Sequence, residues 1–165
     1  MKLPIVKGAL CILLVAALGC GGPAEVEIRQ GAVAPDFKLK SLDGTWVESS
    51  SFKGESVVLN FWATYCQPCL KEIPELKKLA AESKVQIVGI ALDKNGLNAV
   101  RPFVERHGIN YAVLLGDQET FQRFDGFGIP HTVVLDPAYE VFKVYRGAVT
   151  REMLEEDLQA IAQRT

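Results

Sequence analysis

Two cysteines three positions apart, Cys66 and Cys69, are the residues of this sequence best suited to chemistry. A thiolate attacks a disulfide sulfur, and a second thiol close by resolves the mixed disulfide that results. The segment Trp62-Ala63-Thr64-Tyr65-Cys66-Gln67-Pro68-Cys69 joins a continuous β-prone run, Val57-Val58-Leu59-Asn60-Phe61, to a helical pattern. A cysteine at that helix N-terminus meets unpaired backbone N–H groups and the positive end of the macrodipole, which favour the thiolate. Cys66 is therefore expected as the nucleophile and Cys69, one turn further in, as the resolving thiol. Pro68 suits a first helical turn, where a missing N–H costs nothing. Gln67, between the cysteines, is expected to tune the redox potential, and Trp62 and Tyr65 to pack around the sulfurs with substrate contact as a second role.

The rest of the chain narrows the alternatives. A disulfide closing so small a loop would add little stability, so reactivity explains the pair better than stapling. A Cys-x-x-Cys is also half of a zinc site, but after the cysteines only His107 and His131 could complete one; no metal centre is expected. The remaining cysteines, Cys11 and Cys20, lie near the N-terminus. There Lys2 and Lys7 precede an apolar run from Gly8 to Gly19, the order of a bacterial secretory signal. The run is short of the roughly 20 residues that span a bilayer. Leu18-Gly19-Cys20 resembles a bacterial lipobox, with Ala17 where leucine is preferred, which implies lipid attachment at Cys20 and a membrane tether without a spanning helix. An ordinary cleaved signal releasing a soluble protein is the other reading. The expected organisation is a lipoprotein-type signal peptide over 1–19, a tether over 20–30 and one domain over 31–165. Without Lys2 and Lys7 the balance is 16 Lys+Arg against 20 Asp+Glu, a net charge of −4. With no basic stripe among aromatics, nucleic acid is not an expected partner.

The elements that must hold the cysteines read as an α/β domain. Short strands over 37–39 and 45–47 flank the turn Leu42-Asp43-Gly44. The buried strand 57–61 leads to a helix over 66–83, with an apolar stripe at Ile73, Leu76, Leu79 and Ala80 and an interrupting Pro74. A buried strand over 85–92, a helix over 97–107 closed by Gly108, a short edge strand over 111–115 and a short helix over 119–125 follow. After Gly128-Ile129-Pro130 come strands over 131–135 and 141–146, then a helix from its cap Thr150 to about Ala162. This order predicts a central mixed sheet with helices on both faces.

Four separated segments together resemble the thioredoxin superfamily, and within it the TlpA/ResA branch of membrane-anchored extracytoplasmic thiol–disulfide oxidoreductases, related to the redoxin (AhpC/TSA) group. They are Gly31–Phe37 with Ala34-Pro35-Asp36-Phe37; the segment 62–69, with Tyr65 where a second tryptophan is common; Lys71-Glu72-Ile73-Pro74-Glu75-Leu76; and Gly128-Ile129-Pro130. The resemblance covers residues 31–163 and implies a thioredoxin-like fold with an N-terminal β-hairpin extension. It implies that Pro130 is cis and faces the disulfide, with the Ile129 backbone free to pair with an extended substrate. Asn60 stands where thioredoxins carry a buried aspartate. Asp93 is a candidate for proton transfer, set against a turn residue at a strand end, and His131 either tunes the cysteines or faces solvent.

The resemblance further implies a monomer that reduces disulfides in exported proteins, apocytochrome c among them, and takes electrons from a membrane thiol donor. Cytochrome c biogenesis at the bacterial cell envelope, on the periplasmic side or outer surface, is the most specific expectation. No flavin or nicotinamide motif is present, so no cofactor is expected. The rivals are oxidation by the same residues in reverse, a thiol peroxidase, and a copper chaperone, which usually has three residues between its cysteines and a downstream histidine.

Overall fold

A computed structural model describes residues 28–83 and 85–164. The signal segment, Cys20 and the tether up to residue 27 lie outside the described residues.

Among the described residues, seven strands form one mixed sheet. They are β1 (Lys38–Ser41), β2 (Trp46–Glu48), β3 (Val57–Trp62), β4 (Gln86–Ala91), β5 (Ala112–Leu115), β6 (His131–Leu135) and β7 (Val141–Arg146), in spatial order β2-β1-β5-β4-β3-β6-β7. Among the described residues four α-helices accompany them: α1 (Gln67–Glu82), α2 (Leu97–His107), α3 (Gln118–Arg123) and, after β7, α4 (Arg151–Ala162). β3, β4 and β5 are parallel neighbours in that order. Right-handed crossovers stepping the same way place α1 and α2 on the same face of the sheet. β6 then returns antiparallel on the other side of β3, and β7 pairs antiparallel with β6.

Alternation along β3 sorts the core. Val58 and Trp62 pack with the buried faces of α1, α2 and α4, whereas Val57, Leu59 and Phe61 pack with Phe121 of α3, Phe124 and the N-terminal segment. Every residue of β3 is buried, which is why its sequence is continuously apolar apart from Asn60.

The hairpin extension forms as expected, and it changes one expectation. β5 is not an edge strand, because β1 pairs antiparallel with it through Lys40–Leu115 and Ser41–Leu114. At Leu114 and Leu115 its edge is covered by a segment about 75 residues earlier, a long-range pairing that local sequence does not announce. A 3-10 turn over Ser49–Phe52 is also unanticipated. α1 runs through Pro74 as one helix. α2 ends at Gly108 in the left-handed conformation with φ 55°, the C-cap geometry that glycine adopts without penalty.

Candidate redox site

The site is built where β3 ends and α1 begins. The Leu92 N–H donates to the Trp62 carbonyl at 2.9 Å, and the Cys66 N–H to the Ala63 carbonyl at 3.1 Å, closing a tight turn. Asp93, just past β4, anchors the turn: its carboxylate accepts the Thr64 N–H at 3.0 Å and the Thr64 hydroxyl. Asp93 is thus engaged in holding the turn, the reading set against proton transfer.

Cys66 is the N-cap of α1, in extended conformation, and its Sγ accepts the Cys69 N–H at 3.3 Å. That N–H is one of the orphan donors of the first turn, so helix geometry supplies a hydrogen bond to the sulfur that would carry the negative charge. Cys66 and Cys69 form a disulfide with Cα atoms 5.3 Å apart. Cys66 retains 6% exposure and Cys69 none. Gln67 and Pro68 lie exposed in the first turn. Trp62, Ala63, Ile73, Val100 and Phe103 surround the sulfurs, with the Trp62 and Phe103 ring centroids 5.3 Å apart. Trp62 is fully buried, so it packs; Tyr65 is 67% exposed, so it is available to a partner.

β6 runs antiparallel to β3 with His131 opposite Phe61, which brings the loop before β6 to the end of β3 that carries the cysteines. The Ile129–Pro130 peptide is cis. Pro130 is buried and Ile129 packs against the cluster that holds both sulfurs. Beside it lies a cleft of about 400 Å³ whose walls include Tyr65, Leu92, Asp93, Phe127 and Ile129. Phe127 is 79% exposed. A smaller hollow of about 160 Å³, walled by Asp136, Pro137 and Phe142 among others, lies at the opposite end of β6 and holds no nucleophile.

His131 takes neither of its expected places. It is buried on the other face of the sheet among Phe61, Phe121 and Phe124, with Nε2 2.9 Å from the Phe124 carbonyl. Alternation along β6 decides this: Thr132, not His131, faces Asn60 and α1. Burial pushes the imidazole pKa below its ordinary value, against the Phe124 hydrogen bond.

The residue that sequence reasoning missed is Glu72. It lies one turn beyond Cys69 on α1 and is 1% exposed. Its Oε1 accepts from Asn60 Nδ2 at 2.8 Å and its Oε2 from the Val149 N–H at 3.0 Å. Burial raises its pKa to about 7, although both hydrogen bonds pull downward. A carboxyl poised near neutrality, three residues from Cys69, is suited to exchanging protons with a thiol there. The signal was present: 69, 72, 73 and 76 share one helical face.

A thioredoxin-like sheet carrying a disulfide at the N-terminus of α1, with a cis-proline loop against it, defines a thiol–disulfide oxidoreductase. The AhpC/TSA family matches residues 30–147. The thiol–disulfide oxidoreductase ResA of Halalkalibacterium halodurans is 34% identical over 139 residues, 81% of this chain and 77% of that protein. ResA of Bacillus subtilis (strain 168) is 30% identical, over 94% of this chain and 92% of its own. A Chlorobium tepidum structure, named as a thiol:disulfide interchange protein DsbE, superposes with a TM-score of 0.76 at 26% identity, covering 82% of this chain and 99% of that one. The chain belongs to the AhpC/TSA family of the thioredoxin superfamily, and its activity is thiol–disulfide exchange.

Proposed function

We propose that the protein reduces disulfides in exported proteins, with Cys66 as nucleophile and Cys69 as resolving thiol. The observation that carries this reading is the asymmetry of the pair. Cys66 Sγ sits at the helix tip, accepts a backbone N–H and keeps some exposure, while Cys69 is sealed one turn below.

In the reduced protein the Cys66 thiolate attacks a substrate disulfide and displaces one substrate thiolate. Cys69 gives its proton to the Glu72 carboxylate and attacks Cys66 Sγ, which expels the second substrate sulfur. The substrate gains two electrons and becomes a dithiol; the protein is left as the Cys66–Cys69 disulfide. A membrane thiol donor restores it by the reverse exchange. Tyr65, Phe127 and the Ile129 backbone border the cleft that would receive the substrate chain, and Gln67 and Pro68 complete the exposed turn at the sulfurs. The cysteine pair of apocytochrome c before haem attachment is the substrate that the family resemblance supports. The lipobox-like Leu18-Gly19-Cys20 supports cleavage after residue 19, lipid attachment at Cys20 and a tether to the envelope membrane.

The reduction potential of the Cys66–Cys69 couple tests the direction. A value near that of thioredoxin, about −270 mV, fits a reductase, and one near that of DsbA, about −120 mV, reverses the assignment. Trapping on Cys69→Ala should leave substrates bound through Cys66.

A further inference from the structure

Beneath α1 the structure gathers more polar groups than the exchange chemistry described so far uses. Asn60 and Gly89 are register partners on β3 and β4, so their side-chain positions lie side by side on the α1 face, about 4.8 Å apart. Gly89 has no side chain, and the space is taken by two rings: a Cβ there would lie 2.9 Å from Trp62 Nε1 and 3.1 Å from Tyr111 Cε2. Cε2 adjoins the carbon that bears the Tyr111 hydroxyl, so that hydroxyl is brought toward Asn60 and the Glu72 carboxyl bonded to it. The Tyr111 hydroxyl is buried and has no hydrogen-bond partner in the oxidised protein. The Glu72 charge also acts on Tyr111, raising the phenol pKa beyond what burial alone does. Each Glu72 oxygen accepts one protein hydrogen bond, which leaves lone pairs free on both.

We propose that Tyr111 is a positioning residue for the exchange reaction, its hydroxyl held in reserve to donate to Glu72, directly or through one bridging water, when the carboxyl is ionised. This rests on the role given to Glu72 above. A protonated Glu72 needs no third donor; an ionised one does. In the reduced protein the carboxylate is the proton acceptor for Cys69, and the phenol stabilises it in place. The titratable group coupled to Glu72 is Tyr111, with the cysteines at the head of its own helix. β3 and β6 contribute the neutral Asn60 and Thr132, and the segment before α4 the Val149 N–H.

The test is a carbon-detected NMR titration of the Glu72 side chain in Tyr111→Phe, which keeps the ring against Gly89 and removes only the hydroxyl. In the reduced protein the Glu72 midpoint should rise by about one pH unit, the effect of one lost donor to a carboxylate. In the oxidised protein it should rise as well, since that titration ends on the same carboxylate. An unchanged midpoint in the variant overturns the proposal. The acid limb of mixed-disulfide resolution should move by the same amount in Tyr111→Phe, and Tyr111→Phe should add nothing in a Glu72→Gln background; an added shift there would place Tyr111 elsewhere in the reaction. The titration reads the carboxyl itself, so its outcome is independent of whether exported proteins are the substrates.

Discussion

Asn60 donates to Glu72 across 2.8 Å, joining the central strand to the helix that carries the redox pair. The same amide nitrogen reaches Thr132 on β6 at 3.0 Å, so β3, α1 and β6 meet on one buried amide, whose carboxyl partner also takes the Val149 N–H. The raised pKa of that carboxyl has a consequence for stability. The native state holds a proton on Glu72 that the unfolded chain, with an ordinary glutamate near 4.5, has released. The contribution is therefore complete below about pH 4.5 and lost as pH rises through about 7, and integrates to about 3 kcal/mol. Glu72→Gln should abolish this slope. Urea unfolding at pH 5 and pH 8 is expected to show wild type losing stability between them while the variant does not.

Asp93 and Glu72 are separable by experiment. Asp93 accepts two hydrogen bonds from Thr64 and fixes the turn before Cys66. Asp93→Ala should cost about 2 kcal/mol, the usual loss when charge-assisted hydrogen bonds are removed, and should slow alkylation of Cys66 as the helix tip loosens. Asp93→Asn keeps an acceptor and should leave the pH profile of disulfide resolution in place. A profile that moves with Asp93→Asn and not with Glu72→Gln would transfer the proton role to Asp93.

What was legible in the sequence follows a physical division. α2, β6 and β7 match the expected ranges residue for residue, because apolar period, Gly108 and the Asp136-Pro137 break are local signals. Cys66 at the helix tip was legible for the same reason: strand, turn and proline fix where α1 starts. β5 as an inner strand was not, since its cover comes from β1, far away in the chain. Glu72 was hidden because a glutamate on a helix ordinarily reads as solvated, and only Asn60 and Val149 make its burial tolerable. His131 follows the cis proline in sequence, yet strand alternation turns it to the other face of the sheet.

Gly89 is required by the rings that lean on it. A methyl group there would press Trp62 Nε1 at 2.9 Å and the Tyr111 ring at 3.1 Å, and the Trp62 ring is fully buried against Phe103. Gly89→Ala should destabilise the fold by roughly 1–3 kcal/mol, the range for overpacking a core. It should also change the near-ultraviolet circular dichroism of Trp62, while an alanine at the open Gly128 position, where no atom lies within 4 Å, should leave that signal unaltered.

His131 gives the opposite pH behaviour from Glu72. Its pKa is lowered by burial, partly offset by the bond to the Phe124 carbonyl, with the nearby Arg146 lowering it further and Asp125 raising it. Below the ordinary histidine value near 6.5, the unfolded chain binds a proton that the native state refuses, so stability falls as pH drops through that value. The neutral ring must carry its hydrogen on Nε2, because a carbonyl can only accept. His131→Gln can still offer an amide N–H to Phe124 but cannot take up charge. Guanidinium unfolding between pH 7 and pH 5 should therefore show a smaller acid loss in His131→Gln than in wild type. His131→Phe, which removes the donor and leaves the Phe124 carbonyl unpaired in the core, should lose about 1–3 kcal/mol at both pH values. Since that carbonyl closes α3 just before the loop bearing Phe127 and Ile129, the same variant should weaken exchange with a peptide disulfide more than with a small one such as oxidised glutathione. Equal losses on the two substrates would confine His131 to holding the core.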